Sequence, residues 1–188
     1  MRQLIVLAIS AFFLIGCTTV VNTFTTEPFE PDPTEQGIIS SLNDKKMSTF
    51  IGVNLKKASP ELNDAHINVT TVNSVVLLAG EVPSNEMKLL AGKVARDFTG
   101  VRKVHNELQV RGNTSLVSRT NDKILAAQIK TKLVFEDQVN SSQISVLAED
   151  GVIFLMGVTT KANGDLAANI ASSNSGVRKV VKVFEYVD

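Results

Sequence analysis

The sequence predicts an α+β protein in which one small domain is written twice. Three observations predict it. Short motifs recur in one order at a near-constant offset: Ile67-Asn68-Val69 against Ile144-Ser145-Val146 and Val75–Gly80 against Val152–Gly157 at 77, GVRKV at Gly100 and Gly176 at 76, and Asn43-Asp44-Lys45 against Asn121-Asp122-Lys123 at 78. Within each copy, apolar residues four apart give way to short apolar runs, the periods of helix and of buried strand. Tight-turn dipeptides, Asn73-Ser74 and Asp150-Gly151, separate two of those runs.

In chain order, Leu4 to Ile15 is an apolar run after Arg2, of leader length and short for a membrane span. It closes on Leu14-Ile15-Gly16-Cys17, which resembles the lipobox of bacterial lipoproteins. The resemblance implies cleavage after residue 16 and acylation of Cys17, palmitate included. It also implies an outer-membrane location facing the periplasm, because Thr18 stands where inner-membrane lipoproteins carry Asp. Cys17 is the chain's one cysteine, so no internal disulfide is available. One acyl chain holds weakly and several hold firmly, at ~0.8 kcal/mol per buried CH₂.

Residues 17–41 then form a tether. Glu27-Pro28-Phe29-Glu30-Pro31-Asp32-Pro33 sets three prolines among three acids, a composition that resists helix and stays extended. The first repeat follows at 42–112, a linker at 113–119 and the second repeat at 120–188.

Each repeat reads as helix, strand, strand, helix, strand. Asn43-Asp44 and Asn121-Asp122 are expected to open the first helix as capping residues. Met47, Ile51 and Leu55, like Leu125, Ile129 and Leu133, form its apolar stripe. The first strand carries Ile67 and Val69, or Ile144 and Val146. The second is apolar at nearly every position, as expected for a central strand covered by helices, and closes at Gly80 or Gly157, where a missing Cβ admits a neighbour. Leu90, Val94 and Phe98 mark the second helix of copy one; Leu166 and Ile170, with alanines, mark that of copy two. GVRKV ends the helix with a left-handed glycine, Gly100 or Gly176, and starts the last strand. It is also compatible with a basic surface contact.

The element order, the late-strand glycine and the phrases VVLLAGEV, VRKVHNELQV, GVIFLMG and SNSGVRKVVKVFEYVD resemble the BON domain. The chain is similar to dual-BON outer-membrane lipoproteins. The resemblance implies two tandem domains, each with two helices packed on a three-stranded mixed sheet. It implies binding of anionic phospholipids such as phosphatidylglycerol or cardiolipin through the second domain, support of outer-membrane integrity, and no catalysis.

Copy one serves as an internal control for that assignment. Ile124, Val134 and Phe135 align with Lys46, Lys56 and Lys57, although both copies keep the core stripe. Ile124 and Phe135 share one side of the helix, and Lys123 and Lys130 lie on a neighbouring side. Apolar side chains beside lysines suit shallow insertion among anionic head groups. The candidate phospholipid set is therefore Lys123, Ile124, Gln128, Lys130, Thr131, Val134 and Phe135. The family often places tryptophan at the position of Ile124, and this chain has none. Packing of Ile124 and Phe135 on the first domain is the competing reading.

Charge and motifs narrow the function classes. With 19 basic and 19 acidic residues, the chain is no general nucleic-acid binder. His66, expected in a loop, and His105, on the last strand of copy one, have no metal-ligand partners at a recognisable spacing. No cofactor, metal or catalytic constellation is expected, and Glu149-Asp150 reads as a turn acid pair. The rival class is an adaptor for an envelope assembly, docking a protein partner on an open sheet edge.

Overall fold

The computed structural model describes residues 40–187, with side chains from Asn43 onward. The expected leader, Cys17 and the tether up to residue 39 lie outside the described residues. Domain one comprises α1 (Ser40–Ala58), α2 (Pro60–Asp64), β1 (His66–Val72), β2 (Val75–Val82), α3 (Asn85–Asp97) and β3 (Lys103–Val110). Domain two comprises α4 (Leu116–Val134), a 3₁₀ turn (Ser141–Gln143), β4 (Ile144–Glu149), β5 (Val152–Thr159), α5 (Lys161–Ser172) and β6 (Lys179–Tyr186).

The sheets are mixed. β2 pairs antiparallel with β1 and parallel with β3; β5 does the same with β4 and β6. A tight hairpin explains the antiparallel pair, and a crossover through α3 or α5 explains the parallel one. The hairpin turns use left-handed residues, Asn73 (φ 51°) and Ser74 (φ 61°), then Asp150 (φ 48°) and Gly151 (φ 70°). GVRKV contains the left-handed glycine expected of it, with φ 88° at Gly100 and 90° at Gly176.

The expected helix starts need correction. The first helices begin at Ser40 and Leu116, before Asn43 and Asn121, so α4 takes up part of the segment expected as linker. Ser115 caps α4, its side chain accepting from Ser118 N. Asp44 and Asp122 instead sit buried inside their helices and hold the hairpin turns. Asp44 accepts from Asn73 N at 2.7 Å and Ser74 N at 2.9 Å; Asp122 accepts from Asp150 N at 2.7 Å and Gly151 N at 2.9 Å. A buried carboxylate is tolerable when such donors satisfy it. The small α2, with Ser59 capping and Pro60 at its start, was not foreseen.

The helix-facing cores are separate. Ile51 and Leu55 of α1 meet Val76, Leu78 and Val82 of β2, Ala91 and Ala95 of α3, and Leu108 of β3. Leu125, Ile129 and Leu133 of α4 meet Ile153, Leu155, Ala167 and Ala171 in the same way. The other faces of the sheets pack on each other: Val75, Leu77 and Ala79 of β2 bury Phe154 and Met156 of β5 and Val183 of β6. This corrects the reading of β2 and β5 as strands covered by helices alone. Alternate residues serve helices on one side and the other domain's sheet on the other, which is why nearly every position is apolar.

Gly80 and Gly157 are close-approach positions. A Cβ would stand 2.1 Å from the carbonyl oxygen of His66 at Gly80, and 2.0 Å from that of Gln143 at Gly157.

Candidate functional site

α4 is built as two faces. Leu125, Ile129 and Leu133, four apart, fill the domain-two core. On another side Val117, Ile124, Gln128, Thr131 and Phe135 follow steps of seven, four, three and four, which at 3.6 residues per turn form one stripe. All five are exposed, Ile124 at 52% and Phe135 at 81%. Val134 is 57% exposed one residue round from Phe135. Packing of Ile124 and Phe135 on domain one is thus not how the domains meet. The sheets already bury their faces against each other, and α4 lies on the opposite side of its sheet.

α1 provides the contrast. Its core stripe is the same, yet none of its side chains from Asn43 onward is a large exposed hydrophobic. Lys46, Lys56 and Lys57 stand where α4 carries Ile124, Val134 and Phe135.

The lysines divide differently from expectation. Lys123 is exposed and has no side-chain partner among the described residues. Lys130 turns inward: its ammonium donates to the carbonyls of Ser141 and, at 2.6 Å, Ile144. Burial pushes its pKa down. As a head-group contact Lys130 is therefore corrected to a brace between α4 and the start of β4. The sequence reading missed Lys132, exposed on the other flank of the Ile124–Phe135 stripe. It also missed Leu116 and Val117, 77% and 70% exposed. Their positions within a helix were hidden by the expected linker.

Beside Ile124 runs an open groove of about 470 Å³, lined by Ser118, Gln128, Gly176 and Arg178 among others. The guanidinium of Arg178, from the second GVRKV, is largely exposed and pairs with Asp150 at 2.5 Å. The arginine of the first copy, Arg102, has a different task and reaches Glu185 of domain two. His66 is the first residue of β1, not a loop residue, and the fold brings it to two carboxylates, Glu81 directly across the β1–β2 hairpin and Glu149 of the other domain. Among the described residues, no helix is long and apolar enough to cross a membrane.

The family model for the BON domain matches residues 44–112 and again 121–188. The chain belongs to the BON-domain family. This dual-BON chain is 31% identical over 190 residues to the outer membrane lipoprotein DolP of Haemophilus influenzae, covering 100% of this chain and 97% of that protein. It is 31% identical over 156 residues to a protein of Actinobacillus pleuropneumoniae named 21 kDa hemolysin, covering 83% of this chain and 79% of the other. Osmotically-inducible protein Y of Escherichia coli is 35% identical over 122 residues, with coverage of 63% and 61%. The dual-BON protein is an outer-membrane lipoprotein.

Proposed function

We propose that this dual-BON lipoprotein, anchored by acyl chains on Cys17 and facing the periplasm, binds anionic phospholipid through α4 and thereby supports outer-membrane integrity. The observation that carries the reading is the difference between equivalent helices. α4 exposes Ile124, Val134 and Phe135 where α1 presents Lys46, Lys56 and Lys57, while both keep their core stripe. A buried core does not require that exposed apolar stripe, whereas shallow insertion at a lipid interface does. Lys123 and Lys132 flank the stripe, so a cation borders the apolar centre on each side, while Arg178 in the adjoining groove is already paired with Asp150. Gln128, inside the stripe, offers an amide N–H to phosphate and glycerol oxygens, whereas Thr131 donates its hydroxyl proton to the Ala127 carbonyl at 2.9 Å. The role is binding, without a catalytic step.

Co-sedimentation tests it. Protein produced without residues 1–17 should pellet with phosphatidylglycerol or cardiolipin vesicles, less with phosphatidylcholine, and less again as salt screens the charges. Protein that ignores every vesicle but retains an envelope protein from the same cells is an adaptor, and the lipid reading is then wrong.

A further inference from the structure

Away from α4, at the seam between the domains, three side chains of metal-ligand type converge. His66 begins β1, Glu81 lies near the end of β2, and Glu149 ends β4 of the other domain. One ligand atom from each lies within 4.8 Å of the others. Glu81 is fully buried and Glu149 is 6% exposed. Burying carboxylates is costly unless each is paired, and here the pairing is incomplete. Asn68 Nδ2 donates to Glu149 Oε2 at 2.6 Å, while Glu149 Oε1, equally buried, accepts no hydrogen bond. Oε1 lies 3.5 Å from His66 Nε2.

The imidazole presents a lone pair there. Asn68 Nδ2 is fixed as the donor by its bond to the carboxylate, which only accepts, and the same nitrogen is 3.2 Å from His66 Nε2. A donor facing Nε2 places the ring proton on Nδ1. Two acceptor atoms, Nε2 and Oε1, therefore face each other. Ligand atoms at about 2.0–2.1 Å from a tetrahedral zinc ion are about 3.4 Å apart, close to the separation seen here. Arg111 holds Glu81 Oε1 at 3.0 Å, whereas Oε2 has only two 3.4 Å contacts, from Thr114. Oε2 is the more weakly held oxygen and the one with acceptor capacity to spare. Glu81, Glu149 and Asp150 set three negative charges against Arg111 and Arg178, leaving a surplus that favours a cation.

We infer that His66 Nε2, Glu149 Oε1 and Glu81 form a zinc-type divalent metal site that ties the two domains together. The nitrogen ligand selects a transition metal over calcium or magnesium, which favour all-oxygen shells. Asn68 keeps its bond to Glu149 Oε2 and orients that ligand carboxylate. His66 is partly exposed and provides the route in. Two ligands come from domain one and one from domain two, so the ion stabilises docked domains in preference to separated ones.

The test uses the full chain in mild detergent, without a histidine tag. Zinc chloride should bind at one ion per chain and raise the melting temperature, and cobalt chloride should give the visible absorption of a low-symmetry nitrogen–oxygen site. His66→Gln and Glu149→Gln should each weaken binding at least about tenfold, while His105→Gln binds like wild type. Should Glu149→Gln unfold in chelator, His66→Gln, at a partly exposed position, carries the test alone. Absence of zinc binding overturns the inference. So does binding that His66→Gln retains, which would mark an adventitious surface ion.

Discussion

The guanidinium of Arg102 meets the carboxylate of Glu185 at 2.7 Å across the join between the domains. Arg111 makes a second such link, to Asp150 at 2.7 Å. The Arg102 hydrogen bond, then that of Asn73, holds Glu185 below its ordinary pKa, and the Arg111 hydrogen bond does the same for Asp150. Depressed carboxyl values mean that the folded state binds the proton less well than the unfolded chain. The contribution to stability is present above the ordinary carboxylate range, about 4, and is lost as pH falls through the folded value. Urea melts should therefore show an acid-induced loss between pH 5 and pH 3 that shrinks in the Glu185→Gln, Asp150→Asn double variant. Equal losses in wild type and double variant would contradict these links. The pairs are partly exposed, so the effect is modest.

Apolar docking contributes more. Phe154 is 4% exposed, yet it belongs to the seam between sheets and not to the helix-facing core of its own domain. Phe154→Ala should destabilise the full chain by about 3 kcal/mol, measured by denaturant unfolding. A cost near zero would mean that the sheets do not dock in solution.

At Gly157 even a methyl group is too much, because the Gln143 carbonyl would lie 2.0 Å from it. Gly157→Ala is expected to lower stability by roughly 1–3 kcal/mol. An unchanged thermal melt would show that β4 and the turn before it shift freely.

Two lysines of α4 should behave oppositely. Lys130→Glu places an acid against the carbonyls of Ser141 and Ile144 and should lower the melting temperature. Lys123→Glu, on the exposed side, should leave melting unchanged and weaken binding to anionic vesicles, as raised salt does in wild type. The reverse pattern would restore Lys130 as the head-group contact.

Local patterns were legible in the sequence, and long-range ones were not. The four-residue spacing of Leu125, Ile129 and Leu133 and the turn chemistry of Asp150-Gly151 gave their elements directly, because both depend on near neighbours. Asp122 was misread because an aspartate near a helix start suits a cap equally well; its partners are 28 and 29 residues away. The strand Val152–Thr159 reads the same whether helices cover both faces or a second sheet covers one, so the docking of domains was invisible. Ile124 stood out only through comparison with Lys46. The inward turn of Lys130 and the meeting of His66 with Glu149 depend on the tertiary fold.

In the proposed lipid-binding role, the second domain's first helix, and not its copy in the first domain, meets the membrane. The direct test compares Ile124→Glu with the aligned change Lys46→Glu for co-sedimentation with phosphatidylglycerol vesicles, after checking that both melt like wild type. Ile124→Glu should abolish most binding and Lys46→Glu should leave most of it. Equal losses from the two variants, or full binding by Ile124→Glu, would contradict the account.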